Sequence, residues 1–193
     1  IIKTVGVTKR FGELVAVNKV DYLLHENEVA GIIGANGSGK TTFFNLVTGY
    51  YLPDEGTVYY KGQDITGTPP EQRVAMGMMR TFQLTSTFDN LSVIDNLVLS
   101  YFRAYRKHSL FHLFTNTCKK HRKNEKIQAI VETFELQDVA DKEVKHLGLG
   151  EKRRLEIAMA ILAEPKVLLL DEPLAGLAEN EIKAVLSVLR RHI

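Results

Sequence analysis

The chain has 193 residues, 45% hydrophobic and 25% charged, with a formal net charge of +2; these are the proportions of a globular protein able to bury a sizeable core, and they exclude a disordered or fibrous chain. So mild a charge gives no sign of a nucleic-acid partner, and the single cysteine, Cys118, excludes an intrachain disulfide and a cysteine-built zinc site and fits a cytosolic compartment. No apolar run approaches the ~20 residues of a membrane-spanning helix and none has the form of a signal peptide, so the chain is expected neither to span a membrane nor to be exported.

The chain starts at Ile1 without a methionine and is expected to be part of a longer polypeptide. From Ile1 to Asn27 apolar and polar residues alternate, as in Val5 and Val7 or Val15, Val17 and Val20, with turns near Gly12 and Glu26-Asn27; this predicts antiparallel strands. Val29 to Ile33 is short and continuously apolar, which predicts a strand buried on both faces. A glycine-rich turn follows, then a helix over Thr42 to Val47 that stops near Gly49. Thr57 to Tyr60 reads as a further strand, and Pro69-Pro70-Glu71 as the start of a short helix.

Between Asn90 and Phe134 the pattern is mainly helical. Within it, Tyr101 to Lys126 sets Arg103, Arg106, Lys107, Lys119, Lys120, Arg122, Lys123 and Lys126 against one acid, Glu125. A solvated helical face is the plain reading, and attraction to anionic lipid headgroups the alternative. Leu155, Ala158, Met159 and Leu162 mark an amphipathic helix ended by Pro165, and Val167 to Leu170 a second buried strand. A last helix begins near Glu179, is expected to bury Ile182, Val185, Leu186 and Leu189, and ends in Arg190-Arg191, basic residues that complement its dipole.

Two motifs carry chemistry. Gly34-Ala35-Asn36-Gly37-Ser38-Gly39-Lys40-Thr41, followed by Thr42, matches the P-loop pattern between a predicted strand and a predicted helix. Its glycines let main-chain N–H groups turn inward around phosphate oxygens, and the helix N-terminus adds positive potential. Lys40 is expected to reach the β- and γ-phosphates of a nucleotide and the Thr41 hydroxyl to bind Mg2+. Val167 to Leu170 delivers Asp171 and Glu172 at its C-terminal end, where parallel sheets place ligands. Asp171 can hold Mg2+, usually through water, and Glu172 can orient and polarise an attacking water. Alone, this pair would read more readily as a strand ending in a solvated acidic turn; joined to the P-loop, the preference reverses.

The interval between Lys40 and Asp171 is too long for adjacent strand–helix units and implies a helical insertion. Here the chain resembles the ATP-binding subunits of ABC transporters, from Thr8-Lys9-Arg10-Phe11-Gly12 to the last helix. The resemblance implies an α/β fold: a P-loop NTPase core with a mainly parallel sheet, an N-terminal antiparallel β subdomain and an inserted α-helical subdomain. It also implies that residues 1–193 form one ATPase domain, incomplete at its C-terminus. Residues 1–83 and 160–193 would make the nucleotide-binding core with its β subdomain, and residues 84–159 the helical subdomain.

By the same resemblance Phe11 stacks on adenine with Val17 packing nearby, although by itself Phe11 reads as a core aromatic. Arg80-Thr81-Phe82-Gln83 is similar to the family's glutamine loop, so Gln83 is assigned to Mg2+ or the attacking water, where by itself it would be a surface glutamine. Leu147-Gly148-Leu149-Gly150-Glu151 resembles the ABC signature, Leu-Ser-Gly-Gly-Gln, imperfectly. Gly148 stands where a serine hydroxyl would bond the γ-phosphate held by a second subunit, and Leu149 replaces the first glycine. Pro173 to Ala178 resembles the family's D-loop, with Ala178 in place of Asp or Asn. The switch histidine is absent, and His192 is not given its role.

The implied cofactors are ATP and Mg2+. The implied partners are a second ATP-binding subunit forming a sandwich of two nucleotides, transmembrane permease subunits and an extracytoplasmic solute-binding protein, with the chain peripheral on the cytoplasmic face of the cell membrane. A competent site is expected for this P-loop and Glu172 beside an intact partner signature, and a weaker one where Gly148 completes it. The run from Phe11 to Val17, with Arg80 to Gln83, Arg153 to Ala158 and Glu172 to Leu177, is most similar to branched-chain amino-acid uptake systems. Urea, amide and lipopolysaccharide systems, a soluble ABC ATPase, and a module that holds ATP without hydrolysing it are the alternatives.

Overall fold

The computed structural model describes residues 1–80, 87–105, 121–174 and 177–192. Gln83, Ala175-Gly176 and most of the basic stretch, residues 106–120, lie outside the described residues. Two compact units are formed, residues 1–78 and 79–192.

In the first unit β1 (Ile2–Phe11), β2 (Leu14–Leu24), β3 (Glu55–Tyr60) and β4 (Gln63–Asp64) form an antiparallel sheet in the order β2-β1-β3-β4. The alternation read from the sequence is the cause: Ile2, Thr4 and Val7 of β1 and Val58 and Tyr60 of β3 are buried, while their neighbours Lys3 and Val5 are exposed. Helix α1 (Lys40–Thr48) buries Phe43, Leu46 and Val47 and ends at Gly49, whose φ of +85° is the left-handed stop expected there. Helix α2 (Pro70–Ala75) starts on a proline in its first turn, as its sequence predicts.

From α2 Arg73, only 1% exposed, reaches the end of α1. Its guanidinium donates from Nε to Thr68 O, from one terminal nitrogen to Leu46 O and Val47 O, and from the other to Ile65 O and Thr66 O. All five of its N–H donors thus end on main-chain oxygens. Burial pulls this guanidinium down to about 10, with Asp64 opposing the shift.

The second unit pairs β5 (Met78–Arg80) with β6 (Val167–Leu169) in a two-stranded parallel sheet. Its helices are α3 (Val93–Tyr105), α4 (Glu125–Thr133), α5 (Leu149–Leu162) and α6 (Glu179–His192). Val93, Leu97, Ile127, Phe134, Leu136, Leu155 and Ile157 make one continuous core, with Leu170, Leu174 and Leu177 against it. Leu155, Ala158, Met159 and Leu162 are buried as their helical spacing predicts, and Ile182 and Leu186 of α6 are half-buried. An antiparallel sheet, a parallel sheet and several helices give the α/β class inferred above.

One expectation fails. Val29 to Ile33 is neither a strand nor buried: residues 28–35 lie outside helix and strand, and Ile33 is 98% exposed. A central strand exists only where neighbours offer ladder hydrogen bonds on its edges. The described strands pair β1 to β4 among themselves and β5 with β6, which leaves this apolar run no ladder to join.

Candidate functional site

The predicted phosphate loop is an exposed turn that runs into α1. Residues 31–38 are exposed, as is Thr41. Gly37 has φ +82° and Gly39 φ +87°; at Gly39, the residue before the helix, an added Cβ would lie 2.1 Å from Ala16 O and 3.6 Å from Val17 Cγ2. Only glycine combines that left-handed turn with so close a backbone approach. Helix α1 has no side-chain cap at Gly39 and no acid in its first turn, so its first N–H groups and dipole face the loop unopposed. Lys40 curls back over the turn, its Nζ donating to Gly34 O at 2.7 Å and Ala35 O at 2.9 Å. An ammonium folded over an exposed glycine turn at an uncapped helix start fits a polyphosphate, and the hydroxyl of the exposed Thr41 is an oxygen ligand of the kind Mg2+ takes.

Val17, 5% exposed, packs beneath this turn. Phe11 is 44% exposed and so is not a core aromatic. Its ring stands edge-to-face to Tyr51, centroids 5.5 Å apart, with Lys9 Nζ 5.8 Å from its centroid.

In the second unit β6 runs out into Asp171 and Glu172. The Asp171 carboxylate, 18% exposed, accepts from Arg80 at 2.5 Å, and Arg80 itself is 4% exposed. Glu172 is exposed and has φ +45°. Its carbonyl oxygen accepts from Arg153 of α5 at 2.9 Å. Among the described residues no three His, Cys, Asp or Glu side chains gather as a metal cluster. A Mg2+ site made from a hydroxyl, one carboxylate, water and phosphate oxygens needs no such cluster.

Ahead of α5, Leu147 is buried, Gly148 is the exposed N-cap and Leu149 is 59% exposed. Glu151 accepts from Gly148 N at 2.8 Å, which is half of a capping box; the other half needs a hydroxyl that glycine lacks. Gly150 is buried against Glu181, whose Oε1 would lie 2.1 Å from an added Cβ, while Glu181 Oε2 accepts from Ala178 N at 2.8 Å and so caps α6.

The family model for ABC transporters matches residues 17–175. The chain belongs to the ABC transporter family. It is an ATP-hydrolysing cassette of that family. Over 196 residues it is 36% identical to the high-affinity branched-chain amino acid transport ATP-binding protein BraF of Pseudomonas aeruginosa, covering 98% of this chain and 77% of BraF. To LivG of Escherichia coli K12, which carries the same description, it is 36% identical over 193 residues, covering 97% of this chain and 76% of LivG. Among solved structures, the ATP-binding cassette MJ1267 of an ABC transporter matches with a TM-score of 0.81 and 30% identity, covering 100% of this chain and 76% of that one. The ADP conformation of the same cassette matches with a TM-score of 0.79 and 29% identity.

The residues expected of an ABC cassette divide between the two units. Phe11, Val17 and Gly34 to Thr42 belong to the first, where Val17 meets the loop at Gly39; Leu147, Gly148, Gly150, Glu151, Asp171 and Glu172 belong to the second. Two contacts escaped the sequence reading, Arg80 with Asp171 and Arg153 with the Glu172 carbonyl. The signal for Arg153 was available: it falls on the same stripe of α5 as Gly150, Ile157 and Ala160, all buried. A buried arginine on such a stripe must be paired. No helix of the described residues is long and apolar enough to cross a membrane.

Proposed function

We propose that this cassette powers import of branched-chain or other amino acids through separate membrane subunits. The observation that supports the chemistry is the exposed glycine turn with Lys40 folded over it and the uncapped start of α1 behind it. The solute class is supported by the likeness to BraF and LivG across nearly the whole chain.

In this reading Lys40 leaves the carbonyls of Gly34 and Ala35 for the β- and γ-phosphates, and main-chain amides from Gly34 to Thr42 hold the remaining oxygens. Phe11 stacks on adenine above Val17. Thr41 and Asp171, with Gln83, hold Mg2+, which when bound supplies positive charge at the phosphate oxygens. Glu172 orients the water that attacks the γ-phosphorus and accepts its proton. Leu147, Gly148, Gly150 and Glu151 face the nucleotide of a second ATP-binding subunit. The nucleotide-binding core is residues 1–83 and 160–193 and the helical subdomain residues 84–159. The assembly sits on the cytoplasmic face of the membrane, with permease subunits and an extracytoplasmic solute-binding protein.

The test is Glu172→Gln in the complete transporter, read by phosphate release and by ATP binding. Hydrolysis is expected to fall about a hundredfold or more while binding is retained. Unchanged turnover would remove Glu172 from its role. Uptake into vesicles tests the solute: ATP-driven leucine import is expected, and transport of urea or an amide instead would reassign the branch.

A further inference from the structure

Glu172 occupies a backbone conformation that its own sequence disfavours. Its φ of +45° lies in the left-handed region, costly for a residue with a Cβ, and Pro173 biases the residue before it towards extended backbone. Such a conformation persists only where its surroundings over-determine it. Here two guanidinium groups do so. Arg80 binds the carboxylate of the preceding residue, Asp171. Arg153 donates to the Glu172 carbonyl oxygen at 2.9 Å.

Arg153 is itself held. Its side chain is 9% exposed, and its other terminal nitrogen donates to Glu156 Oε2 at 2.9 Å. It projects from α5, whose Leu155, Ile157 and Ala158 are fully buried in the core of the unit. A charge-assisted bond from a buried arginine on a packed helix is short of alternatives and strongly directional. Glu172 as a residue is meanwhile exposed. The main chain under the residue is therefore anchored while its side chain is presented outward.

We infer that Arg153 is a positioning residue for Glu172, holding its left-handed backbone so that the carboxylate stands where it can orient a water. This rests on the reading of Glu172 given under Proposed function. In this role Arg153 acts through the Glu172 main chain, by fixing the residue that orients the water. Loss of the bond would let the backbone at Glu172 relax towards the extended form favoured before proline, and the carboxylate would move with it. Binding of ATP, which draws on the loop at Lys40, would be left as it was.

The experiment uses the full-length subunit in the complete transporter and compares Arg153→Met, Arg153→Gln, Glu172→Gln and the Arg153→Met/Glu172→Gln double variant. Arg153→Met is expected to lower kcat about tenfold or more with KM for ATP within about twofold. Arg153→Gln keeps a neutral N–H donor and is expected to recover about threefold of that loss. On the Glu172→Gln background, Arg153→Met should change the residual rate by less than about twofold, because residues that act as one unit are not additive. Equal losses on both backgrounds, a shift carried by KM, or wild-type kcat in Arg153→Met would each overturn the proposal. Should Arg153→Met fail to assemble, Arg153→Gln carries the test by itself, and a kcat equal to wild type would overturn it. If Glu172→Gln itself leaves turnover unchanged, the reading of Glu172 fails and takes this proposal with it; if Glu172→Gln is slow and Arg153→Met is not, the proposal alone fails.

Discussion

Removing Arg73 should break the frame that carries the phosphate loop. Its five N–H donors meet five main-chain oxygens, two of them, Leu46 O and Val47 O, at the closing end of α1, whose opening residues are Lys40 and Thr41. In Arg73→Met, Leu46 O and Ile65 O keep the N–H groups of Gly49 and Thr68, whereas Val47 O, Thr66 O and Thr68 O lose their arginine donor, and each stranded acceptor costs about 1–3 kcal/mol, or about 3–9 kcal/mol for three. Against this, the buried charge disappears, returning several kcal/mol of desolvation, a cost already visible in the lowering of Arg73 to about 10. The expected net loss is about 3–5 kcal/mol, as when one partner of a buried charged contact is deleted. Arg73→Lys should fall between: the charge stays, but an ammonium has three donors to offer five oxygens. Urea unfolding of the full-length subunit measures both, provided the slope is the same for all three proteins. A loss below about 1 kcal/mol for Arg73→Met, the scale of a surface change, would show that the five bonds do not hold this end of α1.

Two further outcomes follow from single contacts. Gly148→Ser fits without strain, since φ is −67° and an added Cβ meets only Glu151 Oε2 at 3.7 Å; it should complete the capping box, stabilise α5 by only a few tenths of a kcal/mol because glycine is itself a tolerated N-cap, and raise transporter ATPase at saturating ATP, with unchanged turnover counting against a weakened signature. Lys9 and the Arg10 N–H hold the Asp54 carboxyl below the usual aspartate range. A depressed folded value stabilises above the ordinary pKa and stops doing so as pH falls through the folded one, so wild type should exceed Asp54→Asn in urea midpoint near neutrality and the gap should close in strong acid. A gap independent of pH would refute the assignment.

How much of the cassette could be read from its residues depended on how far apart the interacting groups lie. Gly34 to Thr41 is contiguous, and each property of the turn, from the left-handed Gly37 and Gly39 to the helix that follows, is written in adjacent positions. The same holds for the proline start of α2 and the buried stripe of α5. Val29 to Ile33 shows the limit: an apolar run reports that a segment avoids water, whereas a strand requires a second backbone at hydrogen-bond distance, and no periodicity within the run can supply one. The struts under the acidic pair were hidden for a related reason. Arg80 and Asp171 are 91 positions apart, so only the folded sheet makes them neighbours. Arg153 and Arg73 end on carbonyl oxygens, which every residue possesses and no letter of the sequence distinguishes. A buried arginine can be recognised from its place on a helix stripe, and the cost of burying it says that partners must exist; which main-chain oxygens they are is decided by the tertiary structure alone. Contacts that end on main-chain acceptors are therefore the part of a site least visible in sequence, and the bond from Arg153 to the Glu172 carbonyl, under a left-handed backbone, is of that kind.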